Sequence, residues 1–120
     1  MQTSSEMADH MSHNPSGGTL ALDGSDLPAT GYYVGGLVSP LLVDDLTTTE
    51  DVAEFIDYLK TVAGARYVGW WTDDETGDVW IDGVSWVEAY INAEVTCVER
   101  GEIAFYDIER RESYRPILVR

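Results

Sequence analysis

Residues 47–64, TTTEDVAEFIDYLKTVAG, constrain the fold more than any other segment of this chain. Four apolar residues recur at the spacing of one helix face: Val52, Phe55, Ile56 and Leu59. Thr47 is followed three residues later by Glu50, which matches a capping box at a helix start. Gly64 is placed to end the helix. The segment therefore predicts an amphipathic helix over residues 47–63 that must bury its apolar side against another element.

The segment after this helix predicts a β-hairpin centred on residues 70–86. Two runs with alternating apolar residues, ARYVGWWT and DVWIDGVSW, flank the polar stretch 73–77. Gly77 can adopt the left-handed conformation that a bulged turn requires.

Four weaker elements complete the pattern. The aromatic and β-branched residues of 31–38 predict a strand, and so do those of EIAFYDIE at 102–109. Apolar spacing in residues 87–100 favours a helix that Gly101 would stop, whereas the composition Val-Thr-Cys-Val favours a strand, and we predict the helix. The run SYRPILV at 113–119 can add a short edge strand, where Pro116 is tolerated.

The predicted order β-α-β-β-α-β is typical of a split βαβ, ferredoxin-like two-layer sandwich. Both helices would then cover one face of an antiparallel sheet and leave the other face uncovered. Residues 1–30 are rich in Ser, Gly, His and Met with little periodicity, so we predict a flexible N-terminal tail. Residues 31–120 are predicted to form a single acidic α+β domain.

The charge of the chain is extreme and uneven. Twenty-two acidic residues against seven Lys and Arg give a formal net charge of −15. Residues 1–99 hold 18 of the acids and two of the bases, whereas 100–120 hold four acids and five arginines. Such a surface repels nucleic acid and anionic membranes and attracts basic proteins from a distance. We therefore predict no direct contact with nucleic acid or membrane.

Compartment signals point to a cytoplasmic protein. Cys97 is the single cysteine and cannot form an internal disulfide. The N-terminal residues have no basic and apolar regions of a secretory signal, and no apolar run approaches the length of a membrane helix. LPATG at 27–31 is the pentapeptide of sortase substrates, but it lacks the apolar span and basic tail that should follow closely. We expect it to be a Pro-containing loop that leads into the first strand.

Catalytic and metal-binding signatures are missing from the sequence. His10 and His13, the only histidines, lie in the predicted tail with no third metal ligand. Cys97 sits beside acids in an apolar stretch, which makes a buried structural thiol the better interpretation. The acidic run from Asp73 to Asp82 fails the register of an EF-hand, because position 5 is Gly77. We predict a protein without catalytic residues, cofactor or dedicated metal site.

Carboxylates and tryptophans remain as candidates for binding a partner. If Val79 and Ile81 face the helices, then Trp80 and Trp86 face outward, where tryptophans act as anchors of protein interfaces. Carboxylates spaced i, i+4 on a helix or i, i+2 on a strand lie about 6–7 Å apart, close to two nucleotide steps. The candidate partner-binding residues are Glu50, Asp51, Glu54, Asp57, Asp73, Asp74, Glu75, Asp78, Asp82, Trp70, Trp71, Trp80 and Trp86.

In size, charge and lack of catalytic groups the chain is similar to small acidic DNA-mimicking inhibitors, including antirestriction proteins of phages and plasmids. The resemblance implies a non-catalytic inhibitor, of phage or mobile-element type, that occupies the basic groove of a nucleic-acid-binding protein. The alternative is an acidic domain adapted to high salt, with a regulatory or structural role and no mimicry. The single lysine against six arginines fits a salt-loving organism or a GC-rich genome equally well. Self-association remains open.

Overall fold

The computed structural model describes residues 2–46, 49–61 and 64–117. In this part of the chain three helices and seven strands follow one another as α1 (Ser4–His13), β1 (Gly17–Ala21), β2 (Tyr32–Val34), β3 (Leu41–Val43), α2 (Thr49–Thr61), β4 (Tyr67–Thr72), β5 (Val79–Val87), α3 (Tyr90–Glu99), β6 (Phe105–Asp107) and β7 (Glu112–Tyr114). The α+β class that the sequence predicted is confirmed.

The strands form one antiparallel sheet in the order β1-β4-β5-β2-β6-β7, and β3 also pairs with β5. The nine residues of β5 are long enough to pair with β3 at their beginning and with β2 at their end. The four strands expected from the sequence are neighbours as β4-β5-β2-β6. The additional β1, β3 and α1 mean that the sheet is not a simple ferredoxin-like sandwich, which corrects that part of the prediction.

The predicted helix and hairpin are both present. In α2 the apolar stripe faces inward, with Val52, Ile56 and Leu59 fully buried and Phe55 half-buried. Gly64 follows with φ of +64°, while the predicted cap Thr47 lies outside the described residues. In the hairpin, Gly77 has φ of +78° and its N–H donates to the Asp73 carbonyl at 2.8 Å.

The remaining predicted elements are shorter than the sequence suggested. The predicted strand at 31–38 is β2, and the one at 102–109 is β6. Residues 87–100 contain the helix α3 rather than a strand. The expected edge strand at 113–119 corresponds to β7, which ends at Tyr114, before Pro116, because proline cannot donate to the ladder. Positions 118 and 119 of the expected strand lie outside the described residues.

The N-terminal segment is not a flexible tail, so the prediction for residues 1–30 is wrong. Thr3 and Glu6 form a complete capping box at the start of α1. Met7 and Met11, one turn apart, are fully buried in the same cluster as Ile56 of α2. Burial of these side chains offsets the conformational entropy lost when the segment becomes ordered.

The radius of gyration, 13.8 Å, is close to the value of about 13.6 Å for a compact chain of this length.

The two faces of the sheet are covered differently. Val79 and Ile81 of β5 pack in the cluster that contains α1 and α2, and Val87, on the same side of the strand, packs with α3 residues. The helices therefore lie on one face, as predicted. The opposite face holds a small buried cluster of Ala21, Tyr33, Tyr67 and Val84, to which no helix residue contributes.

Candidate partner-binding surface

Three exposed or half-exposed apolar side chains lie side by side on the sheet face that carries no helix. Leu42, Trp80 and Trp71 are direct neighbours across β3, β5 and β4. The rings of Trp71 and Trp80 stack with centroids 6.3 Å apart and planes inclined by 12°. Trp71 is 53% exposed and Leu42 is 48% exposed. We call these three residues the tryptophan patch, and such a contiguous exposed apolar patch is typical of interaction sites.

Several carboxylates lie on chain segments that reach the end of the sheet nearer to the tryptophan patch. Val43 pairs with Val79, so Asp44 and Asp45 leave β3 beside the hairpin turn. The helix α2 begins at Thr49, a few residues later, and so starts at this same end. We call the carboxylates on these segments the acidic end: Asp44, Asp45, Glu50, Asp51, Glu54, Asp74, Glu75 and Asp78. Glu50, Asp51 and Glu54 belong to α2, which covers the sheet face opposite to the tryptophan patch.

Positive charge is scarce around the acidic end. No Lys, Arg or His occurs in the sequence between His13 and Lys60, or between Arg66 and Arg100. Lys60 lies in the last turn of α2 and Arg66 precedes β4, both at the far end of the helix. The acidic end thus lies away from Lys60 and Arg66, at the same end of the sheet as the exposed indole of Trp71.

The turn of the hairpin orients its own carboxylates. Asp73 accepts hydrogen bonds from the backbone N–H groups of Glu75 (2.8 Å) and Thr76 (3.4 Å), so its side chain forms the turn. Asp74 and Glu75 are exposed at the tip. Within the predicted acidic run, these two residues are therefore exposed to solvent at the turn.

Two of the predicted tryptophans lie elsewhere. Trp70 is only 4% exposed, belongs to the helix-side core and donates its indole N–H to the Asn14 carbonyl at 2.8 Å. Trp86 is near the other end of β5 and donates to the Thr30 carbonyl at 2.8 Å. Its ring lies directly against Gly31, where a Cβ atom would come within 2.4 Å of the indole nitrogen.

This contact explains the LPATG pentapeptide in structural terms. Residues 27–30 form the loop before β2, as the sequence predicted. Gly31 has φ of +93° and its carbonyl accepts the N–H of Ile108 at 3.0 Å. Thr30 and Gly31 thus anchor the loop to β5 and to the end of β6, and only glycine fits beneath Trp86.

Asp57 and Asp82, which the sequence also assigned to the surface, have partners within the protein. The hydroxyl of Ser4 donates to the Asp57 carboxylate, so this acid joins α2 to the start of α1. Asp82 accepts the N–H of Gly36 at 2.6 Å through Oδ2. Its Oδ1 is buried and has no hydrogen-bond partner among the described residues. Burial raises the pKa of Asp82 to about 6, against the lowering effect of the Gly36 hydrogen bond, and the Glu102 carboxylate adds to the rise.

Groups with catalytic chemistry do not converge on this surface. Cys97 is fully buried, and burial, followed by the charges of Glu102 and Glu94, raises the pKa of its thiol. His10 packs edge-on against Trp70, and the His13 ring lies by the Asp9 carbonyl. Among the described residues, no group of three or more His, Cys, Asp and Glu side chains is placed to hold a metal ion.

No helix in the described part of the chain has the length and apolar character needed to cross a membrane.

Sequence reasoning missed three members of this surface: Leu42, Asp44 and Asp45. The run PLLVDD is too short to predict a strand, because three residues carry no measurable alternation. The two consecutive aspartates at its end were visible as charge, but their position beside the hairpin turn depends on the pairing of β3 with β5.

Comparison of the chain with models of protein families, with curated proteins and with solved structures finds no match.

Proposed function

We propose that this protein is a non-catalytic inhibitor that binds a basic, nucleic-acid-handling protein through its acidic end and tryptophan patch. The observation that carries the proposal is the position of Trp71, Trp80 and Leu42 on a sheet face without a helix, near the strand ends from which Asp44, Asp74 and Glu75 follow. Aromatic side chains in the centre of an interface supply binding energy, while charges at its rim set orientation and association rate.

Spacing of the carboxylates supports occupation of a groove that normally holds nucleic acid. Glu50 and Glu54 are one helical turn apart, about 6 Å along the axis, which is close to two phosphate steps of a strand. Asp74 and Glu75 are exposed at the hairpin tip and add two further carboxylates. A basic groove built for phosphates would thus meet a comparable charge pattern.

Competition with duplex DNA tests this proposal. Proteins retained by the immobilised chain from a lysate are identified, and one is titrated with DNA in the presence of saturating protein. We expect the DNA affinity of the partner to fall by at least tenfold. A partner that binds DNA equally well when saturated would contradict the proposal.

Two substitutions test separately how the carboxylates and the tryptophan patch contribute to binding of the partner. Glu75→Lys should slow association with the partner by several-fold, whereas Trp71→Ala should mainly speed dissociation. The control Glu99→Lys reverses an exposed charge on α3, away from the acidic end, and should change neither rate by more than about twofold. If Glu75→Lys and Glu99→Lys slowed association equally, the attraction would depend on net charge and not on the acidic end.

The second candidate is an acidic domain adapted to high salt, because exposed carboxylates also occur far from the acidic end, for example Asp26, Glu99 and Glu109. For an inhibitor, raising the ionic strength from about 10 mM to about 1 M should only add stability, since screening relieves repulsion among the carboxylates. A chain that needs molar salt to fold at all would favour the salt-adapted domain.

A further inference from the structure

A second candidate site lies at the opposite end of β5 from the tryptophan patch. A cleft of about 610 Å³ opens between the start of β2, the start of α3 and the turn from β6 to β7. This volume is within the range of about 300–1,000 Å³ usual for ligand pockets. Glu88, on its rim, is eight residues beyond Trp80 along an extended chain, which corresponds to about 26 Å.

Three tyrosines form walls of the cleft. The ring of Tyr90 stands at 82° to that of Tyr32 and at 61° to that of Tyr114, with centroids 5.7 and 6.1 Å away. All three rings pack against the buried Phe105, with centroids 5.4–6.0 Å from its own. The rings therefore bound the cleft from different directions and are held by a rigid core side chain. Aromatic faces arranged in this way attract organic cations.

The carboxylates of the cleft add negative charge. Asp107 lines it although the residue is only 6% exposed. Its Oδ1 accepts the backbone N–H of Arg110 at 3.1 Å, and its Oδ2 forms an ion pair with Arg110 Nε at 4.0 Å. Glu88 and Glu109 are exposed at the rim.

The opposing positive charge is smaller. It consists of Arg110 and of the first turn of α3, which is worth roughly half a charge. Three carboxylates outweigh these two contributions, so the cleft remains negative. The chemistry suits a ligand that is positively charged, planar or compact, and able to lie against aromatic rings.

We infer that this cleft binds an organic cation of the guanidinium or alkylammonium class. Neither its location nor its ligand depends on the proposed inhibitor function, because the tryptophan patch is at the other end of the sheet. The source of the cation is either a side chain of another protein or a free small amine, and the two share the same recognition chemistry.

Titration of the full-length ¹⁵N-labelled protein with methylguanidinium chloride tests the inference. We expect saturable shifts at the amides of Tyr32, Tyr90, Asp107 and Tyr114, with a dissociation constant on the order of millimolar because so small a ligand makes few contacts. Sodium chloride at the same ionic strength should give no saturable shift. Saturation by inorganic phosphate instead of the cation would overturn the inference and assign the cleft to an anion held by Arg110 and α3.

Exposed tyrosines provide a matched pair of variants. Tyr90→Ala should weaken methylguanidinium binding by about two- to fivefold, whereas Tyr58→Ala on α2 should leave it unchanged. The two side chains are similarly exposed, 37% and 40%. Glu109→Gln should also weaken binding, while Glu99→Gln should not. An equal loss in the cleft variants and in their controls would contradict a specific site.

N-acetyl-arginine amide and choline then distinguish the two sources. Stronger binding of the arginine amide points to a protein side chain, and stronger binding of choline points to a free amine.

Discussion

The two faces of the β4–β5 hairpin give opposite environments to side chains that are adjacent in sequence. Trp70 faces the helices, is buried and is hydrogen-bonded to Asn14, whereas Trp71 faces away from them and stacks on Trp80 in solvent. Strand alternation alone requires that they point to opposite faces. The difference in burial arises from α1 and the residues after it, which cover Trp70 on one face, whereas no helix covers Trp71 on the other. The residue type therefore does not decide between a buried and an exposed position in this protein.

The test with the largest expected change in the free energy of unfolding replaces Trp70 or Trp71 with alanine. Trp70→Ala should lower the free energy of unfolding by about 3–5 kcal/mol, because it leaves a large cavity in the core and an unpaired Asn14 carbonyl. Trp71→Ala should cost about 1 kcal/mol or less, since it removes a stacked pair at an exposed position. Urea unfolding followed by circular dichroism measures both values. Equal losses would mean that the face carrying Trp71 is as well covered as the helix side.

The second test removes part of the covering layer. Met11→Ala should destabilise the protein by about 2–5 kcal/mol, because Met11 is fully buried in the cluster that contains Trp70. Ser12→Ala, at the next position of α1, serves as a control for changes in the helix itself and should have a small effect. A stable Met11→Ala variant with unchanged hydrogen exchange at Trp70 would show that α1 contributes little to this side.

The smallest expected effect concerns Asp82, which lies two residues after Trp80 on the same face of β5. Its pKa of about 6 in the folded state exceeds the value of about 3.9 in an unfolded chain. Folding therefore takes up a proton between these pH values, and the stability that protonated Asp82 contributes below about pH 4 is lost as the pH rises through 6. Asp82→Asn keeps an acceptor for Gly36 but cannot ionise.

We expect Asp82→Asn to be more stable than the wild type above pH 6, on the order of 1 kcal/mol after allowance for the partial exposure of this group. The gain should shrink towards pH 4. Urea unfolding at intervals from pH 4 to pH 8 measures the difference, and Asp74→Asn at the hairpin tip controls for the loss of one charge. Difference curves of the same shape for both variants would contradict a special environment at Asp82.

Local patterns in the sequence were sufficient for part of this fold. The spacing of Val52, Ile56 and Leu59 predicted the helix α2 and its buried side. The alternation on both sides of residues 73–77 predicted the hairpin and that Val79 and Ile81 share one face, which in the structure is the face covered by helices. Both signals are periodicities within a single helix or strand, so they can be recognised without knowing what that element packs against.

One local signal was present but not used. Thr3 and Glu6 match a capping box, and the buried residues of α1 recur at helical spacing: Ser4, Met7, Ala8 and Met11. The polar composition of the first 30 residues outweighed this short pattern in the prediction of a tail. Because α1 has only ten residues, its stability depends on the core that it covers and not on its own propensity.

The sequence by itself determined the acidity of the chain, the helix α2, the hairpin and the alternation of the four tryptophans' faces. Tertiary structure alone decided which tryptophans are buried, that Asp44 lies beside the hairpin turn, and that Tyr32, Tyr90 and Tyr114 meet around Phe105. The reason is the sequence separation of the partners. Trp70 and the carbonyl that it binds are 56 residues apart, and no periodicity within an element records which distant element will cover it.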